Sequence, residues 1–426
     1  MTKIFKTFVY FIALILGISS GAIYLIYSTL PLTEELIIGE ETFYSYNEKN
    51  EISTIKLSGN AGEFSIHFIE LGNKYTGDCT YIKYKDEDVD IDILIDCGSK
   101  SNSVSAVSEY LNNYVTDGVL DYVIITHAHQ DHYAGFATSS SVTNIFDLYV
   151  CKTIIDFGSA SNQKDSATTY NRYINNRNKE IATNTANGIE SEHIPAIECR
   201  DFNNNTNRIF TIDEENSVKF EILYNEFTKY DRNNATATAN YKAPSENDYS
   251  VCSLFSYGEK HFLFTGDLEH EGEELLLENN TIPQNISLYK AGHHGSKTSS
   301  SAELLTHINP EYICVCCCAG SSEYTKTIDN QFPTQEFISR IVEFTDTDNV
   351  FVTTMCVDYK NNEYTSMNGN IVIWTDNTRN NVNINCSNNT TKLKDTEWFN
   401  KTITDENNKT GPNRQWKPIS QLIARQ

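Results

Sequence analysis

Six consecutive residues, His127-Ala128-His129-Gln130-Asp131-His132, constrain this chain more than any other stretch. They follow the apolar run Val123-Ile124-Ile125, which reads as a buried strand. His127 and His129 are two positions apart, so at the end of an extended strand their side chains leave the same face. Asp131 and His132 come where the chain turns and can face the same centre from the other side. Neutral imidazoles with a carboxylate suit zinc, and also manganese or iron. A chance cluster of surface histidines would need no companion elsewhere in the sequence, and this one has a companion.

The second window is Lys290-Ala291-Gly292-His293-His294-Gly295-Ser296, after the mostly apolar residues 286–289. Between the two windows, residues 262–267 read as a strand that ends at Gly266-Asp267. Of ten histidines, five fall in the two windows, so these stretches are expected to meet in space. Three strand ends that deliver His or Asp can build one centre for two metal ions. Asp267 is the expected bridge, since one carboxylate reaches two ions about 3.5–4 Å apart.

With these residues on view, the chain resembles the metallo-β-lactamase superfamily, whose signature is His-x-His-x-Asp-His. Within it, the chain is similar to the hydrolase domain of ComEC-type DNA-uptake proteins and to the phosphorylcholine esterases. Gly266-Asp267 and the Gly-His-His-Gly-Ser run carry that likeness. So do residues 67–72 with Gly77-Asp78, the strand end Asp96-Cys97-Gly98, and Asn247-Asp248-Tyr249-Ser250. The likeness covers roughly residues 62–376 and implies an αββα sandwich with the site at one edge, between the sheets. On that fold His127 and His129 hold a first ion. Asp131, His132 and His294 hold a second, and Asp267 bridges. Two zinc ions are expected, with manganese as the alternative. The resemblance implies that Asp96 supports the metal loop through hydrogen bonds. Asp131 and His293 are the candidate catalytic residues, with His293 stabilising phosphate or protonating the leaving group. Either His293 or His294 can reach metal, so their order stays open. Ser296 and Lys297 are candidate phosphate contacts, although a helix start accounts equally well for Ser296. Many superfamily members place a third histidine of the first site near residue 193. His193 has no local motif and reads better as a solvated surface histidine.

The implied activity is hydrolysis of a phosphodiester, in nucleic acid or a phosphorylated surface polymer, by a metal-bound hydroxide. A metallohydrolase of carboxylic esters, lactones or amides is the alternative, and a catalytically silent binding protein is a third. Charge bears on this choice. Lys plus Arg number 33 against 57 Asp plus Glu, a net charge of −24. An acidic surface argues against a broad, sequence-blind grip on nucleic acid. It leaves nuclease chemistry open, because bound cations supply local positive charge.

Lys3 and Lys6 precede an uncharged stretch, 7–33, in which 8–27 is almost entirely apolar and long enough to span a bilayer. With Glu34-Glu35 after it, the N-terminus is expected in the cytoplasm and the hydrolase domain outside. Small residues at 17–22 make a cleaved signal peptide, and hence a secreted protein, the competing reading. The apolar run continues to Leu30, which favours an uncleaved anchor. The expected organisation is an anchor at 1–34, a link at 35–61, the hydrolase domain at 62–376 and a loose Asn-rich tail at 377–426. There are eleven cysteines, four of them in the run 312–318. That run reads as a buried strand with cysteine as a small hydrophobe. Alternating faces keep the four thiols from meeting at one ion.

Overall fold

The computed structural model describes residues 43–46, 52–55, 63–158, 166–229, 243–323, 325–358, 361–375, 378, 380–405 and 407–422. The expected anchor at 1–34 lies outside them. Among the described residues no helix is long and apolar enough to cross a membrane.

Two large sheets carry the fold. The first has ten strands, ordered Ile52–Ile55, Phe43–Tyr46, Asn383–Cys386, Ile371–Thr375, Glu63–Phe68, Thr80–Lys85, Asp90–Ile95, Val119–Ile125, Val150–Asp156 and Glu192–Pro195. Pairing is antiparallel as far as Asp90–Ile95 and parallel beyond it. The second has eight, ordered Ile209–Asp213, Val218–Leu223, Cys252–Tyr257, Lys260–Phe264, Leu288–Lys290, Tyr312–Ala319, Val350–Asp358 and Glu363–Ser366. It too turns from antiparallel to parallel, at Lys260–Phe264, and its last pair, Val350–Asp358 with Glu363–Ser366, is antiparallel again. A parallel pair needs a crossover, and helices supply it. Ser103–Leu111 lies between two parallel strands of the first sheet, and His270–Asn279, Ala302–Ile308 and Gln335–Phe344 lie between those of the second. Within each parallel run the strands end at the same edge.

The inner faces pack on each other. Phe64 lies 5.1 Å from Phe262 and Phe68 lies 6.3 Å from Phe264, ring centre to ring centre. The outer face of the second sheet, with Leu263, Ile313, Val315 and Val352, packs on Leu276, Leu304, Leu305, Phe337 and Ile338 of its helices. The result is helices, two sheets, helices, as expected. The cysteine strand Tyr312–Ala319 follows its alternation: Cys314 and Cys316 join the core between the sheets, and Cys317 faces the helices. All eleven thiols are free, and burial pushes Cys314 and Cys316 well above the usual thiol range, so they stay neutral.

Three expectations change. Residues 145–157, whose apolar character suggests a pair of strands, are the helix Ile145–Leu148 followed by the strand Val150–Asp156. The Asp147 carboxylate accepts the Asn144 N–H (3.2 Å) and caps that turn. The link at 35–61 contributes two strands to the first sheet, with Tyr44 opposite Cys386. The described residues of the expected loose tail at 377–426 are packed. Leu393, Trp398 and Phe399 join the core, and the buried Arg414 donates to the carbonyls of Pro333 (2.9 Å) and Gln331 (2.7 Å). Asparagine misleads here because its amide satisfies backbone groups in turns. Asn388 and Asn389 both donate to the Met367 carbonyl.

Candidate metal centre

The strand Asp90–Ile95 ends at Asp96, which adopts a left-handed backbone, φ 58°. One Asp96 oxygen accepts the Thr126 N–H (2.8 Å). The other accepts from Thr126 Oγ1 (2.8 Å) and His132 Nδ1 (2.7 Å). Both oxygens are therefore occupied by donors. With its proton at Nδ1, His132 turns the Nε2 lone pair toward Asp267 Oδ1, 3.2 Å away. This is the carboxylate–histidine pairing that fixes the tautomer of a metal ligand.

The second sheet supplies the opposite wall. Asp267 follows Gly266 at the end of Lys260–Phe264, and the Asp267 N–H donates to Ser250 Oγ (3.0 Å). His293 and His294 both lie in the left-handed region, φ 45° and 54°, at a cost of about 1–2 kcal/mol each. This sharp turn sends the two rings different ways. His294 is buried, donates Nδ1–H to the Cys316 carbonyl (2.9 Å), and sets Nε2 3.3 Å from both Asp131 Oδ2 and Asp267 Oδ2. His293 stays one-fifth exposed, with Nε2 3.8 Å from Asp267 Oδ2. The order left open by the sequence is thus His294 inside and His293 at the mouth.

His127 and His129 stand beside this group, Nε2 to Nδ1 3.0 Å, and the His127 ring is 4.2 Å from that of His132. The fold therefore gathers all six expected ligands, His127, His129, Asp131, His132, Asp267 and His294. His193 does not join them. It is half-buried on Asp156 Oδ1 (2.8 Å), which also pairs with Arg177, so it is not a solvated surface residue either. Ser296 bonds Thr298 (3.0 Å) within its own turn, and Lys297 donates to Asn330 (3.0 Å) of a separate segment.

The donor set fits a divalent cation. His132 Nε2, His294 Nε2 and Asp267 Oδ1 are buried without a hydrogen-bond partner among the described residues. Each such atom costs roughly 1–3 kcal/mol unless something satisfies it. Asp78, His132, Asp267 and His294 each place a ligand atom within 4.8 Å of the others. Charge follows the same pattern. Burial opposes a charge on His132 and His294, yet Asp267, with Asp96 and Asp78, outweighs it and holds both well above the usual imidazole range. Burial would raise Asp267, but His132, His294 and His293 drive it well below the carboxylate range. Burial, reinforced by His132 and His129, keeps His127 neutral. A cation would replace the protons that these imidazoles otherwise attract.

Backbone contacts lock the loops. The Asp78 N–H donates to the Asp131 carbonyl (3.0 Å) and Cys97 N–H to that of His132 (2.7 Å). A Cβ at Gly98 would fall 1.6 Å from the Asp131 oxygen, so only glycine allows this approach. Sequence reasoning missed four participants. Ser250 and Asp78 begin or precede strands and carried only the likeness. Glu269 has no local motif, yet its Oε1 lies 3.6 Å from His293 Nδ1 and accepts from Thr298 (3.1 Å) and Asn247 (3.1 Å). Lys290 is 2% exposed and pairs with Asp78. A lysine closing an apolar strand was the available signal.

Residues 73–145, which span Asp78 to His132, match the model of the metallo-beta-lactamase superfamily. The chain carries a metallo-beta-lactamase superfamily domain. A stretch of 67 residues is 36% identical to Recombination protein 2 of Haemophilus influenzae. That stretch is 16% of this chain and spans only 8% of the relative's length. Among solved structures, the long form RNase Z from yeast aligns with a TM-score of 0.34 at 12% identity, over 62% of this chain and 38% of that one. The short form of human tRNase Z aligns at 0.30 and 12%, over 68% and 92%. CmlA, a diiron beta-hydroxylase from Streptomyces venezuelae, aligns at 0.31 and 9%, over 70% and 49%.

Proposed function

We propose that this metallo-beta-lactamase superfamily protein is a membrane-tethered phosphodiesterase with two divalent ions, zinc or else manganese. The observation that carries the reading is the convergence of buried, unpartnered donor atoms on His132, Asp267 and His294. His127 and His129 would hold the first ion, Asp131, His132 and His294 the second, and Asp267 would serve both. Two such ions, when bound, acidify water and stabilise charge on phosphoryl oxygens. The chain's own residues do the rest. Asp96 and the Cys316 carbonyl hold the rings of His132 and His294 in the tautomer that frees Nε2. Thr298 donates to Glu269, so its oxygen is left to accept from His293 Nδ1 (3.2 Å). That keeps His293 Nε2 turned inward, where a proton held there passes to the leaving-group oxygen. The apolar stretch 8–27 anchors the chain, with the domain outside the cytoplasm.

A phosphodiester in nucleic acid or in a phosphorylated surface polymer is the proposed substrate. The test is elemental analysis of the full-length protein together with an assay on bis-p-nitrophenyl phosphate. Two ions per chain with metal-dependent cleavage is the expected result. Cleavage of lactones or carboxylic esters alone would replace the phosphodiesterase reading, and metal without turnover would make the protein a binder. Protease accessibility in intact cells tests the tether.

A further inference from the structure

Lys290 is a cation built into the centre and used by none of the steps above. It closes the strand Leu288–Lys290, three positions before His293, and is 2% exposed. Its ammonium contacts Asp78 Oδ2, lies 3.2 Å from the Gly266 carbonyl oxygen and 3.7 Å from Asp267 Oδ1. Its N–H bonds thus have two close acceptors, Asp78 and the Gly266 carbonyl, and Asp267 Oδ1 stands just beyond hydrogen-bond reach. Asp78 lies on the inner side of the histidines, its Oδ1 3.1 Å from His294 Nδ1 and its Oδ2 3.8 Å from His132 Nδ1. Asp78 therefore belongs to the same charge cluster, although the rings present Nδ1 to it and Nε2 to Asp267.

We infer that Lys290 sets the charge of the metal centre: it neutralises Asp78, so that two divalent ions leave the site with a positive surplus for an anionic phosphodiester. This rests on the two-ion reading above. Four carboxylates meet here, Asp78, Asp96, Asp131 and Asp267, with the one ammonium of Lys290. They leave three negative charges. Two divalent ions turn the total to one positive charge, the complement of one phosphodiester anion. Without the ammonium the loaded centre is neutral and has no net pull on that anion. The ammonium also stands on Asp78, so a divalent ion is kept to the Nε2 side, with Asp131.

A strut and a charge-setting residue predict different signs. If Lys290 and Asp78 only brace the loop, removing either weakens metal binding. If Lys290 sets the charge, Lys290→Met makes the centre more negative and tightens it, and Asp78→Asn does the reverse. The double change Asp78→Asn/Lys290→Met restores the total. The experiment titrates zinc into the full-length protein and its three variants at one pH, with a chromophoric chelator as competitor. Inorganic phosphate binding to each loaded form is the second readout. Expected are zinc binding at least about tenfold tighter in Lys290→Met, at least about tenfold weaker in Asp78→Asn, and within about threefold of the parent in the double variant. Phosphate should bind Lys290→Met at least about tenfold more weakly. Weaker zinc binding in both single variants, or no change in either, overturns the inference. If a single variant does not fold, the double variant decides: a neutral pair that folds but loses zinc overturns it as well. A parent protein that binds no zinc or manganese would instead sink the two-ion reading.

Discussion

The two halves of the molecule place an aspartate at the same topological point and give it opposite work. Asp96 ends the antiparallel-to-parallel switch strand of the first sheet, and Asp267 ends the corresponding strand of the second. The next parallel strand in each sheet delivers the histidines, 127–132 in one and 293–294 in the other. Yet Asp96 has both oxygens occupied by Thr126 and His132, whereas Asp267 has Oδ1 with no hydrogen-bond partner and faces two imidazole Nε2 atoms. Topology puts a carboxylate at the strand end. The donors around it decide whether it orients a ligand or serves as one.

The largest effect expected from this contrast is at Asp267. Asp267→Asn should lower bound metal to one ion or fewer and cut hydrolysis by at least about a thousandfold, the scale of several kcal/mol of lost charge stabilisation. Full activity in that variant, or in His129→Ala, breaks the assignment. The third strand end of the first half sharpens it further. Asp156 is saturated by Arg177, His193 and Tyr173. Asp156→Asn should therefore cost on the order of 3–5 kcal/mol in denaturant unfolding while metal content stays unchanged. Loss of metal instead would bring His193 back into the site.

Asp96→Asn should fall between these. The fold persists, and metal affinity drops about 10–100-fold, as for other residues that orient a ligand from behind. An effect as large as that at Asp267 would erase the distinction between the two aspartates. The effect furthest from the metal centre's own chemistry concerns the loop after His294. The buried Glu273 accepts the Ser300 (2.6 Å) and Ser301 (2.7 Å) N–H groups, and burial pushes its carboxyl up to about 7. A folded value above the unfolded one means that stability is fullest below the usual carboxylate range and is lost as pH rises toward 7. Over that window the protein should lose on the order of 2–3 kcal/mol. Glu273→Gln should flatten the profile, and an unchanged slope would put the titration elsewhere.

The family resemblance implied the two-sheet class, and the sequence by itself determined the convergence of the two histidine windows and the six candidate residues now found near one another. It did so because ligand chemistry leaves dense, regularly spaced polar residues at the ends of apolar runs. It also settled the cysteine strand, since alternation depends only on local geometry. Other features needed the tertiary structure. The order of His293 and His294 rests on a left-handed turn that no spacing encodes. Glu269 and Lys290 act through side chains of separate segments, so a linear reading sees only an acidic helix and the end of a strand. His193 was undecidable until Asp156 and Arg177 closed on it. The Asn-rich C-terminal segment looked loose because composition records few apolar residues, whereas packing depends on where those few land. The same physics separates Asp96 from Asp267: both are read as strand-end carboxylates, and only the neighbours folded against them tell which one is left free.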